Sequence, residues 1–267
     1  MSNTGISSLV INRLIKSSCA VIRNTLYGLV FVNLGWFLPL TFSAAETKQI
    51  ELNSTTRPPL STAEQTGFID RIAKEAFARL GIEMKTVRLP AERALIDADN
   101  GILDGEISRV AGLENIYSNL VRVPEKLMDV EFTVFSRRID HLNPGWEGLQ
   151  PYSTAIINGW KILENNMPAA AEVTKVKSPV QLFDLLNLNR VDLIIYERWG
   201  GKSLVSEMRI SDVKQLAPPL LVEGLYMYLN KKYQSLVPKL SQTLKNIKAD
   251  GTYQLIYSQT LEPFEKN

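Results

Sequence analysis

Two successive β-α-β-α-β units, giving an α/β fold with two mostly parallel sheets flanked by helices, are what this 267-residue sequence predicts. Three observations carry the prediction. Short β-prone runs alternate with apolar residues at helical spacing over residues 49–110, and the same alternation returns over residues 153–197. A connection from Arg137 to Gln150, interrupted by Pro144, Gly145 and Gly148, separates the two cycles. Hydrophobic content of 45% and charged content of 22% are those of an ordinary globular chain, and the length has room for two medium domains.

In order, Gln49 to Asn53 alternates polar and apolar residues and predicts the first strand, which runs into Ser54–Leu60, a loop stiffened by Pro58 and Pro59. Phe68, Ile69, Ile72, Ala73, Ala76, Phe77 and Leu80 lie on one helical face, and Gly81 is placed to end that helix. Met84 to Leu89 is a second strand. Pro90 opens a second helix carrying Glu92, Arg93, Ala94 and Leu95, which breaks at Asn100-Gly101. Asp104 to Val110 is the third strand, with Gly112 after it as a turn residue. Leu120–Leu127 and Glu131–Ser136 predict two more. The second cycle has strands at Ser153–Asn158, Glu172–Val176 and Asp192–Tyr196, a helix opened by Gly159-Trp160, and a helix started by Ser178-Pro179 with an apolar stripe at Val180, Phe183 and Leu186. Leu221–Asn230 is a strand with aromatic alternation. A helix from about Leu236 to Ala249 follows, then a final helical turn to Tyr257.

The first 45 residues predict an export signal. They carry Arg13, Lys16 and Arg23 and no acid, then an apolar heart from Leu26 to Phe42, then Ser43-Ala44-Ala45 as a cleavage site. Asn33, Gly35 and Pro39 argue against an uncleaved anchor. Cleavage after Ala45 would remove the single cysteine, Cys19, and with it any disulfide, thiolate metal site or thiol nucleophile. Residues 46–267 then carry 27 basic and 28 acidic side chains, so no basic stripe tracks a phosphate backbone and nucleic acid is not an expected partner.

In open α/β sheets ligands lie beyond the carboxyl ends of strands. Arg109 stands at such an end and has the fork of donors that suits a carboxylate, which makes it the first candidate anion clamp.

Three segments then resemble the extracytoplasmic solute-binding proteins of the amino-acid-type transport family, family 3, of the type II periplasmic binding fold. They are Gly67–Gly81, similar to the family's opening helix; Arg190–Glu197, similar to its second-lobe strand ending in an acid; and Ala249–Tyr257, similar to its closing motif. The resemblance implies a two-lobed clamp, with lobe 1 built from residues 46–136 plus 222–267 and lobe 2 from residues 137–221. Glu131–Ser136 and Leu221–Asn230 would be the hinge. It also implies a small carboxylate-bearing, amino-acid-like ligand in the cleft, a periplasmic location, a monomer, no cofactor, and an ABC-type permease as partner. A membrane receptor is the alternative partner, since the clamp is the same in both. By the resemblance Glu197 meets the ligand's ammonium. The arginine that usually holds the α-carboxylate is missing from Glu114-Asn-Ile-Tyr117, and Leu60 stands where a stacking aromatic often does. With a cleft in place, Arg109, Arg93, Arg57 and Tyr117 become candidates from lobe 1, and Glu197, Trp160 and Trp199 from lobe 2. Some proteins of this fold are dehydratases, and Glu106 or Glu197 are the acids that such chemistry would use. The sequence offers no Ser/His/Asp set, paired-histidine metal element or phosphate loop beside them, so no enzyme and no metal site is expected.

Overall fold

The computed structural model describes residues 49–265, and the expected export signal lies outside the described residues. Nine strands among these residues form one continuous, curled ladder. Strand β1 (Gln49–Asn53) lies between β2 (Glu83–Val87) and β3 (Gly105–Arg109), all parallel. Strand β6 (Thr154–Ile157) lies in the same way between β7 (Val173–Val176) and β8 (Leu193–Glu197). Each half therefore places its first strand in the middle. This is the doubled unit that the alternation predicts.

Two long antiparallel strands join the halves. β5 (Met128–Ser136) pairs along its length with β9 (Lys214–Asn230), and β8 closes on the far side of β5. The end of β9 also pairs with β3 and with the short β4 (Leu120–Arg122). The ladder between β5 and β9 steps from Phe132↔Leu221 to Val134↔Leu216, so residues 217–220 bulge out of register. Pro218 and Pro219 sit in that bulge, where their missing N–H groups remove no ladder bond. For this reason β9 begins seven residues before the expected Leu221.

Helices pack on both faces of the sheet, so the inner strands β6 and β8 are apolar and buried almost to their ends, whereas the outer strands β2 and β7 keep exposed polar residues. α1 (Phe68–Ala78) buries Phe68, Ile69, Ile72, Ala73, Ala76 and Phe77. It packs against α6 (Val237–Ala249) and α7 (Thr252–Thr260) over one face of the first sheet, around Ile50, Leu52, Ile107 and Leu244. α2 (Ala91–Asp99) covers the opposite face with Ala94, Leu95 and Ala98 against Leu103, Leu120 and Tyr228. In the second half, α4 (Pro179–Asn187) is capped by Ser178, whose hydroxyl accepts from Gln181 N. Its buried stripe is Leu182, Phe183 and Leu186, and Val180 is 51% exposed, so the apolar face is turned from the expected one. A short helix, α3 (Lys161–Glu164), follows Trp160. A helix not expected from the sequence, α5 (Arg198–Glu207), starts at the end of β8.

β4 also ends earlier than expected, because Pro124 has no N–H to offer and interrupts the pairing, although Val123 N and Leu127 N on either side still donate to Met227 O and Leu225 O of β9. Among the described residues no helix is long and apolar enough to cross a membrane.

Candidate functional site

The loop Ser54–Leu60 leaves the carboxyl end of β1 and is fixed at its far end by a buried carboxylate. Asp70, in the first turn of α1 and fully buried, accepts from Ser61 Oγ at 2.7 Å, Thr62 N at 2.9 Å and Gly67 N at 3.2 Å. Arg88, just past β2, donates to Thr56 O at 3.2 Å and to Ser61 Oγ at 2.8 Å and holds the same loop from the other side. Gly67 allows this packing, since a Cβ there would lie 2.5 Å from Leu60 O. The loop carries Arg57, which is exposed and has no acidic partner among the described residues.

Facing this loop is the end of β8. A Cβ placed on Gly200 would come within 3.9 Å of Pro58 O, 3.1 Å of the Tyr196 ring and 3.1 Å of the Glu197 carboxylate, so the two halves approach each other here. Tyr196 stacks on Trp160 with ring centroids 5.0 Å apart and planes 17° apart, and Phe132 meets Trp160 edge-on at 5.8 Å. Burial pushes the Tyr196 hydroxyl up to about 12, with the Arg57 charge acting against it. Glu197 caps α5: its oxygens accept from Trp199 N at 2.9 Å and Gly200 N at 2.7 Å. Burial raises its carboxyl to about 7 in spite of those two bonds, and the nearby Glu131 charge pushes it the same way.

That shift sets a pH dependence. Because the folded-state value lies above the ordinary carboxyl value of 4.5, Glu197 contributes stability that is full below about pH 4.5 and is lost as the pH rises through about 7. Thermal melts from pH 4.5 to 8 should therefore lose on the order of 2 kcal/mol, allowing for screening in a partly open cleft, and Glu197→Gln should flatten that slope. Identical slopes for the two proteins would mean that Glu197 titrates as an ordinary carboxyl.

A second group lies at the carboxyl end of β3. Arg109 does not stand free: its Nε donates to Glu106 Oε2 at 3.0 Å and its Nη2 to Ala91 O at 3.2 Å. Glu106 is fully buried and also accepts from Asn53 Nδ2 at 3.0 Å, while Asn53 Oδ1 accepts from Leu89 N. A bulge between Glu106 and Arg109 in the pairing with β9 turns both side chains into one network. Burial raises the Glu106 carboxyl above its ordinary value against the bonds from Arg109 and Asn53. Tyr117 hydrogen-bonds Glu92 at 3.1 Å, and the Arg109 charge acts on its hydroxyl, so it belongs to the same neighbourhood.

The candidates thus divide. Arg57, Trp160 and Glu197 come together across the two halves, and Arg109 and Tyr117 gather at the α2 end of the first half. Arg93 is 73% exposed and pairs with Asp97 within α2. Trp199 is 5% exposed, packs edge-on to Tyr257 at 5.9 Å, and joins the core of the first half. Sequence reasoning missed Tyr196, Phe132, Asn53, Arg88 and Gly200 as parts of the site. Tyr196 had a signal, as the last large side chain of an apolar strand before Glu197.

No family model matches the chain. An uncharacterized protein of Shewanella oneidensis is 25% identical over 206 residues, which are 74% of this chain and 77% of that one. Among solved structures, a mutant of ArgBP from T. maritima is similar with a TM-score of 0.64 at 18% identity, covering 80% of this chain and 95% of that one. The substrate binding protein of an amino acid ABC transporter gives 0.62 at 19%, covering 80% and 99%. A histidine kinase sensor domain with similarity to periplasmic binding proteins gives 0.64 at 15%, covering 81% and 96%. The chain has the two-lobed periplasmic-binding-protein-like fold.

Proposed function

We propose that this two-lobed chain is an exported solute-binding protein, which closes on a small polar, carboxylate-bearing ligand of amino-acid size and delivers it to an ABC-type importer in the membrane. In this reading residues 1–45 are cut off after Ala45, residues 46–136 with 222–267 form lobe 1, residues 137–221 form lobe 2, and β5 and β9 are the hinge. The observation that carries it is the approach of the Arg57 loop of one lobe to the Glu197 cap and the Trp160–Tyr196 stack of the other. A cation without an acidic partner among the described residues, an aromatic wall and an acid, drawn from both lobes, form a cleft suited to a zwitterion or small acid. Hinge closure then removes the ligand from water, which strengthens each charged contact. Similarity of fold to an amino acid transporter's binding protein supports the same reading.

The sensor-domain similarity favours a second reading, in which the liganded protein engages a membrane receptor in place of a permease. Permease binding in reconstituted vesicles separates the two.

Titration calorimetry of residues 46–267 against a panel of amino acids and small carboxylates tests the ligand class. One or more should bind, and Arg57→Ala should weaken that binding by about 2 kcal/mol or more, the low end for a charge pair buried by closure. Unchanged affinity in the variant removes Arg57 from the site.

A further inference from the structure

Glu106 is the polar group that the proposed cleft leaves unexplained. Its side chain is 0% exposed, and Oε2 serves both Asn53 and Arg109 while the buried Oε1 has no partner among the described residues. Such an atom is uncommon in native structures and calls for a physical reason. Ser108 Oγ, two residues along the same strand, is likewise buried and without a partner among the described residues. Arg109 differs from its partner in keeping 13% of its side chain open to solvent. An anion can therefore reach the guanidinium from outside but cannot reach Glu106.

We infer that Glu106 is a specificity-determining residue at the carboxyl end of β3, joined through Asn53 to the end of β1 from which the Arg57 loop leaves: it occupies Arg109 as an internal counter-anion, and an incoming carboxylate joins the guanidinium only when Glu106 takes up one proton. This rests on the proposed cleft. The charge balance argues for it directly. One arginine with two carboxylates leaves a net negative charge in a desolvated site, which is costly, whereas one arginine with one carboxylate and one carboxylic acid is neutral. The proton comes from solvent and goes to Oε1, the oxygen with no partner. Arg109 keeps its charge, and the only bond formed is that O–H.

Among the described residues Arg109 is the cation that acts on Glu106. From β1 it meets the neutral Asn53. From β9 its register partner is Tyr228, whose hydroxyl is turned to Val110 O and Glu114. At the α2 end Arg109 meets the Ala91 carbonyl, and Glu92 is bonded to Tyr117.

The test uses acetate, a bare carboxylate, as the probe, with chloride at the same ionic strength as control. In protein carrying carboxyl-labelled glutamate, the Glu106 signal, assigned by its loss in Glu106→Gln, should titrate at higher pH in acetate than in chloride. By the reciprocity of linkage, Glu106→Gln should bind acetate about tenfold more tightly than wild type at pH 8. A Glu106 titration that acetate does not move overturns the inference, even if amino acids bind and close the lobes. A titration that acetate moves, in a protein that binds no metabolite, keeps the inference and removes the proposed transport role.

Discussion

Arg109→Ala is expected to destabilise the protein by about 3–5 kcal/mol near neutral pH, the usual result of removing one member of a buried ion pair. The loss arises because Glu106, fully buried, would keep only Asn53 as a donor. A surface arginine at a strand end would cost far less, within about 1 kcal/mol. Chemical denaturation of the two proteins at pH 7.5 reads the difference. The double variant Arg109→Ala/Glu106→Gln should recover most of the loss, since it removes the orphaned charge with its cause, and the cycle gives the coupling directly. A loss below about 1 kcal/mol, or no recovery in the double variant, would mean that the pair contributes little. For any binding measurement the consequence is plain: a weaker ligand response in Arg109→Ala combines lost contact with a disturbed β3, and the Glu106→Gln background is needed to separate them.

Asp70→Ala is the second large effect. Asp70 organises the segment that returns from the Arg57 loop into α1, through Ser61 Oγ, Thr62 N and Gly67 N. Its removal leaves buried donors without an acceptor, each costing about 1–3 kcal/mol. It also takes the acidic group from the first turn of α1. The expected total is about 3–5 kcal/mol, seen as a lower denaturation midpoint with an unchanged slope. Hydrogen exchange should rise in residues 54–67 in particular, because the segment loses its buried acceptor and keeps only peripheral ties such as Arg88, the Gln65–Thr86 bonds and the backbone bonds at Pro59 and Leu60. Uniform exchange across α1 and α6, with no excess in that loop, would mean that Asp70 is a general core residue and does not position Arg57.

How far the sequence carries can be seen from single elements. The strand and helix alternation was legible because each unit obeys one period at a time, and the Phe68–Phe77 face of α1 lies where the spacing puts it. Helix α5 was not legible. Its Gly200-Gly201 opening argues against a helix, and tertiary contacts hold it: the Glu197 cap on the backbone, the Arg198–Glu131 pair, the packing of Trp199 against Tyr257, and Leu204 and Val205 against the core of the second half. The early part of β9 was hidden by two prolines, which tolerate a strand there because the ladder is out of register at that point. The site was legible in its positions more than in its pairings. Arg109 and Glu197 do stand at strand ends, but the partner of each is decided by tertiary structure. Arg109 meets Glu106 because of a bulge against β9, and Glu197 meets the backbone of a helix that the residue pattern conceals. Trp199 shows the reverse case: its place beside Glu197 suggested a cleft wall, yet the first turn of α5 carries it into the other half's core.

The most direct test of lobe closure is X-ray scattering from residues 46–267, with and without each member of a panel of amino acids and small carboxylates, alongside thermal melts of the same samples. At least one solute should shrink the radius of gyration and raise the melting midpoint together, as expected when a hinged pair of lobes closes on a bound molecule. Curves and midpoints unchanged by every solute would contradict it.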